Sequence, residues 1–207
     1  MIQTIPLRSP VALVWASEIL RTGGVIAFPT DTVYGLAAMA FDAQAVQRLY
    51  IIKGRTTDKS IPVLVGQLTD LAKVAASLPQ AAEKLAQAFW PGALTLVVPK
   101  HSALPKEVAS GNTVGARMPD HPSICALMRL TGPLAVTSAN RSGGPNPLTA
   151  EDVMAQLDGY VDLLLLGGAC PGGQPSTVVD CTANPPAILR HGPVTDEAIF
   201  AIVNRSQ

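Results

Sequence analysis

Apolar residues in this chain come in short bursts rather than long tracts. Runs at 25–28, 61–65, 94–98, 114–117, 134–137, 163–166, 177–179 and 187–189 are each the length of a buried strand. Helical spacing appears between several of them. Asp42 can cap a helix whose Val46, Leu49 and Tyr50 share a face, and Gly54 stands where a left-handed C-terminal residue is expected, so this helix should end at Lys53. Pro79 suits the first turn of a second helix that runs to Phe89 and is stopped by Pro91 and Gly92. Thr149, with Glu151 and Asp152 behind it, opens another helix, and Thr195 opens a last one. The apolar run 11–16, followed at once by Glu18 and Arg21, reads as an N-terminal helix rather than a signal peptide. Strands alternating with helices predict an α/β sheet, and the clustering of strands after residue 160 suggests added hairpins, hence a mixed sheet. No repeat and no linker interrupts the pattern, which predicts a single domain over 1–207.

Composition narrows the function classes. The 207 residues are 48% apolar, 14% charged and 4% aromatic, enough to bury a core without disulfide or metal and far from a disordered composition. Fifteen basic and fifteen acidic side chains cancel, which argues against tight stand-alone nucleic-acid binding. Cys125, Cys170 and Cys181 form no CxxC pair and His101, His121 and His191 are scattered, so a reduced, zinc-free, cytoplasmic protein is expected. The longest uncharged stretch, 163–179, is broken by Gly167, Gly168, Pro171, Gly172, Gly173 and Pro175 and cannot span a membrane as a helix.

Four segments carry polar chemistry at the ends of strands or helices. Pro29-Thr30-Asp31-Thr32-Val33-Tyr34-Gly35-Leu36 follows a strand, where open α/β sheets bind ligands. Thr30 and Asp31 could equally cap a turn. Lys53-Gly54-Arg55, followed by Thr56, Thr57, Asp58 and Lys59, sets cations at a helix end. They either complement the helix dipole or clamp a polyphosphate, lysine as a mobile point charge and arginine as a rigid fork. Thr137-Ser138-Ala139-Asn140-Arg141-Ser142-Gly143-Gly144 offers hydroxyls, an amide and flexible glycines after a strand, yet matches neither GxxxxGK[ST] nor GxGxxG. Arg117, Ser176-Thr177 and Arg190 are each weak alone, since an arginine after a strand often only snorkels to the surface.

Taken in order, Pro29 to Leu36, Lys53-Gly54-Arg55, Trp90-Pro91-Gly92, Arg117-Met118-Pro119, Ser138-Ala139-Asn140 and Ser176 to Asp180 resemble the YrdC-like family, the threonylcarbamoyl-AMP synthases. The resemblance runs from Gly24 to about Pro193 and implies an open, strongly twisted sheet with a cationic concave face. It implies a site in which Lys53 and Arg55, with Ser138 and Asn140, bind phosphate; Thr57, Thr113, Asn146 and Arg190 also contact ATP; and Thr30, Arg117 and Ser176 contact threonine. Lys53 and Arg55 would be the catalytic pair. The implied reaction, a nucleotidyl transfer, joins L-threonine, bicarbonate and ATP into threonylcarbamoyl-AMP and pyrophosphate. Magnesium would enter with ATP, without protein ligands. The implied partner is a transferase complex that modifies tRNA beside the anticodon. This chain resembles the short form, without a separate C-terminal domain, and carries Ile61-Pro62-Val63-Leu64-Val65 where some members have a histidine. The YciO subgroup shares the fold but lacks the full Lys-x-Arg and Ser-x-Asn pairing, both of which are present here. A similar domain occurs in the carbamoyltransferase of hydrogenase maturation, whose other regions are absent. The alternative is a non-catalytic module of this fold that binds tRNA or double-stranded RNA weakly.

Overall fold

A computed structural model describes residues 2–204. Along the chain lie β1 (Gln3–Pro6), α1 (Ala12–Arg21), β2 (Ile26–Phe28), β3 (Gly35–Met39), α2 (Ala43–Lys53), β4 (Val63–Leu64), α3 (Leu71–Val74), α4 (Gln80–Phe89) and β5 (Leu94–Pro99). Then follow β6 (Thr113–Arg117), α5 (Pro122–Thr131), β7 (Leu134–Ser138), α6 (Ala150–Leu157), β8 (Leu163–Leu166), β9 (Thr177–Asp180), β10 (Ala187–Arg190) and α7 (Asp196–Val203). All ten strands join one sheet in the order β1-β8-β2-β3-β7-β4-β6-β5-β9-β10. It is mixed: β2 and β3, β3 and β7, and β5 and β6 run antiparallel, whereas β2 and β8, β4 and β6, and β5 and β9 run parallel.

Every predicted strand and helix is present. The capping signals work as read: Asp42 accepts from the Gln44 and Ala45 amides, Gly54 closes α2 at φ 60°, and Thr149 and Asp152 form a reciprocal capping box on α6. The expected hairpins after residue 160 need one correction. Only β9 and β10 pair as a hairpin, while β8 lies near the far edge between β1 and β2. Its four consecutive leucines are those of a parallel strand covered on both faces.

Strand alternation divides the core in two. Leu36, Ala38, Val63, Ala135 and Leu164 pack with α2, α4 and α6 on one face; Ala37, Leu64, Leu134, Val136, Leu163 and Leu165 pack with α1 and α5 on the other. The second cluster includes no residue of β5, β6 or β9. Among the described residues the α1/α5 face is without a helix layer over those three strands, and that bare strip becomes the floor of a cleft. Among the described residues no helix is long and apolar enough to cross a membrane.

Candidate functional site

The same alternation that buries Leu94, Leu96, Val114 and Ala116 beneath the sheet aims Thr95 and Arg117 at the uncovered side. Around them opens a cleft of about 220 Å³ lined by Thr30 and Thr32 from the β2–β3 turn, Gly35 at the start of β3, Arg55 and Ser60 after α2, Pro62 just before β4 and Leu64 within it. Thr137 and Ser138 of β7, Pro175 and Ser176 before β9, and Arg190 of β10 complete the wall. The lining holds three arginines, several hydroxyls and no carboxylate.

Each cation is held differently. Arg117 is buried; its Nε donates to the Gly92 carbonyl at 2.9 Å, Nη1 to Thr32 Oγ1 at 2.9 Å and Nη2 to the Asp31 carboxylate. Two of its five N–H groups remain for a ligand. Burial lowers its pKa and Asp31 opposes that shift. Arg190 donates from Nε and Nη2 to the Ser176 carbonyl at 3.0 and 2.7 Å, and burial with the nearby charge of Arg55 lowers its pKa. Arg55 reaches the Ser60 carbonyl at 3.0 Å, while its Nε is buried without a partner. Arginines gathered around a recessed space, with donors left over, suit a polyanion.

The hydroxyls are equally ordered. Thr30 Oγ1 donates to the Val33 carbonyl at 2.7 Å and lies 3.0 Å from Thr32 Oγ1, so both proposed roles of the 29–36 segment hold at once: turn cap and cleft wall. Ser176 Oγ sits 2.8 Å from Thr95 Oγ1.

Of the residues expected from sequence, Thr30, Arg55, Arg117, Ser138, Ser176 and Arg190 converge on this cleft. Thr57, Thr113 and Asn146 are exposed and do not line it. Thr113 begins the strand that Arg117 ends, about 13 Å away at the usual rise per residue. The mobile-charge reading of Lys53 is corrected outright. Lys53 is buried, and its Nζ donates to the Ser138 carbonyl at 2.5 Å, the Asn140 carbonyl at 2.6 Å and Asn140 Oδ1 at 3.0 Å. Ser138 Oγ in turn donates to Asn140 Oδ1 at 2.6 Å, and Asn140 Nδ2 to the Gly144 carbonyl at 2.8 Å. The Lys-x-Arg and Ser-x-Asn motifs thus meet, but lysine locks the second motif, and of the two motifs only Arg55 and Ser138 face the cleft. Sequence reading missed Thr32, Thr95 and the Asp31–Arg117 pair. Thr95 did carry a signal: it is the lone hydroxyl in the strand Leu94-Thr95-Leu96-Val97-Val98.

An open mixed α/β sheet with an arginine-walled, carboxylate-free cleft where its helix layer stops defines the class: an α/β protein with a recessed site suited to anions. Residues 18–192 match the Sua5_yciO_yrdC model, described as "Telomere recombination", and the chain belongs to that family. It is 44% identical over 191 residues to the threonylcarbamoyl-AMP synthase of Bacillus subtilis, covering 91% of this chain and 55% of that one. To a putative threonylcarbamoyl-AMP synthase of Mycobacterium tuberculosis it is 42% identical over 199 residues, covering 96% of this chain and 92% of the other. The Pyrococcus abyssi Sua5 structure complexed with L-threonine superposes with a TM-score of 0.94 at 38% identity, over 99% of this chain and 61% of that one. The structure of YciO from Escherichia coli gives 0.84 at 28% identity, over 97% and 98% of the two chains.

Proposed function

We propose that this chain is a threonylcarbamoyl-AMP synthase, a nucleotidyltransferase that condenses L-threonine, bicarbonate and ATP. The observation that carries the reading is the cleft in which Arg55, Arg117 and Arg190 meet Thr30, Ser138 and Ser176 without an opposing carboxylate in the wall. Relatives bearing the synthase name, and a threonine-bound relative of the same fold, support it.

The threonine amine adds to bicarbonate with loss of water, giving a carbamate. A carbamate oxygen then attacks the α-phosphorus of ATP, forming the acyl-phosphate bond as the bond to pyrophosphate breaks. No protein nucleophile takes part; the contribution of the protein is alignment and charge stabilisation. Arg117 offers its two free N–H groups to the threonine carboxylate, with Thr30 and Ser176 beside it. Arg55 and Arg190 face the phosphates, and the Ser138–Asn140 turn, held by Lys53, gives them a rigid ledge. Magnesium would arrive on ATP and stay on its phosphate oxygens, since the wall holds no carboxylate and its charged side chains are arginines. The mixed anhydride product is short-lived in water and calls for a transferase that passes the threonylcarbamoyl group to tRNA.

Pyrophosphate release from ATP with bicarbonate, compared among L-threonine, L-serine and no amino acid, tests the reading. Threonine-dependent release is expected. Background release from folded protein would overturn it and make RNA titration, with its salt dependence, the next measurement.

A further inference from the structure

Asp31 sits outside the cleft wall yet touches the residue that dominates it. Its carboxylate pairs with Arg117 Nη2, and the two side chains are only 15% and 8% exposed. The neighbouring Thr32 hydroxyl takes Nη1, and Thr32 Oγ1 is tied to Thr30 Oγ1. From behind, the loop after β8 presses on this turn at Gly172. A side chain there would lie 2.5 Å from the Asp31 carbonyl and 2.9 Å from Thr32 Cα.

We propose that Asp31 is the positioning residue that fixes Arg117 for the carboxylate of the amino-acid substrate, and that the Gly172 loop holds Asp31 in place. The inference rests on the synthase reading above. Its physical basis is the anchoring of a guanidinium. Arginine has many rotamers, and a carboxylate ligand gains a two-pronged contact only if the plane is already set. Gly92 and Thr32 hold Arg117 by neutral acceptors, whereas Asp31 supplies the charge-assisted bond, the stronger of the three. Asp31 also offsets the burial of an arginine that lies near the charge of Arg190. Without it, the guanidinium would be drawn toward solvent or toward the phosphates rather than held for the amino acid.

The test compares wild type with Asp31→Ala, Asp31→Asn, Gly172→Ala, Arg117→Ala and the Asp31→Ala/Arg117→Ala double variant, each shown folded by its thermal transition. L-threonine affinity is read by calorimetry, and the KM values for threonine and ATP by pyrophosphate release. Asp31→Ala should weaken threonine binding roughly tenfold or more while leaving the KM for ATP within about twofold, the scale of one lost charge-assisted bond. Asp31→Asn, whose amide oxygen can still accept from Nη2, should fall between. Gly172→Ala should move threonine affinity in the same direction although Gly172 does not touch the cleft. In the Arg117→Ala background, Asp31→Ala should cost nothing further, because the two act as one unit. Additive losses in the double variant, or equal losses for threonine and ATP, would show a general structural role and overturn the inference. Wild-type threonine binding with unaffected variants would sink the inference alone; no threonine binding by wild type would sink it together with the synthase reading.

Discussion

Lys53 offers three N–H groups to three oxygens, at 2.5, 2.6 and 3.0 Å, so its charge organises the protein rather than the ligand. Lys53→Met keeps the stem and removes the donors, leaving the buried Asn140 carbonyl without its lysine, while the Ser138 carbonyl keeps the Asn140 amide and Asn140 Oδ1 keeps the Ser138 hydroxyl. A stranded acceptor costs about 1–3 kcal/mol. The variant should lower the thermal midpoint and raise the KM for ATP together, whereas Arg55→Met should raise the KM for ATP with little loss of stability; calorimetry alongside pyrophosphate release separates the two. Burial, and secondarily Arg55, lowers the pKa of Lys53 from 10.5 to about 8. Above that pH the neutral amine has two N–H groups for three acceptors, so kcat/KM for ATP should decline as pH rises through about 8, an arm that Lys53→Met should lack. The stability contribution has the opposite sign. Between about 8 and 10.5 the unfolded chain binds the proton that the folded chain has lost, so this group favours folding more as pH rises.

At the scale of elements, α2 shows how a helix end divides labour between neighbouring residues. Lys53, its last residue, points inward, Gly54 turns the chain at φ 60°, and Arg55 emerges toward the cleft. Gly54→Ala meets no atom within 4 Å, so only the left-handed backbone resists it. A loss of about 1 kcal/mol in denaturant unfolding is expected. This boundary was legible because capping and C-terminal glycine are local signals. The elements that sequence reading missed are those whose cause is tertiary. Strand β3 is Gly-Leu-Ala-Ala-Met, poor in β-branched residues, and is a strand because β2 and β7 flank it. Strand β1 buries one of its four residues and exists by pairing with β8. Helix α5 did carry a marker, Pro122 at its start, with Ile124, Leu127 and Met128 on the inner face. Within the site, motif residues such as Thr30, Arg55 and Arg117 were readable, whereas the inward turn of Lys53 and the Asp31–Arg117 pair depend on contacts across more than eighty positions.

The molecule as a whole carries no net charge, yet concentrates three arginines in one recess. On the proposed function, attraction of ATP is therefore local and should be screened by salt: the KM for ATP should rise several-fold when ionic strength reaches about 0.5 M, with a smaller change for threonine, which that proposal assigns to a buried guanidinium. An unchanged KM for ATP would contradict the assignment of Arg55 and Arg190 to the phosphates. The bare strip over β5, β6 and β9 also sets a limit on how stable this protein can become without losing its work. An ordinary α/β sheet would fill those positions with valine and isoleucine and lay a helix across them. Here Thr95 and Ser176 hold each other by one hydrogen bond, and Arg190 Nη2, which reaches Ser176 Oγ at 3.2 Å, also donates to the Ser176 carbonyl at 2.7 Å, so exchanging both hydroxyls for apolar groups strands no donor. Thr95→Val/Ser176→Ala should melt no earlier than wild type in a thermal scan, while binding threonine at least about tenfold more weakly. The cleft in this architecture is a region of sheet left unfinished, and any drift toward a better-packed domain would close it.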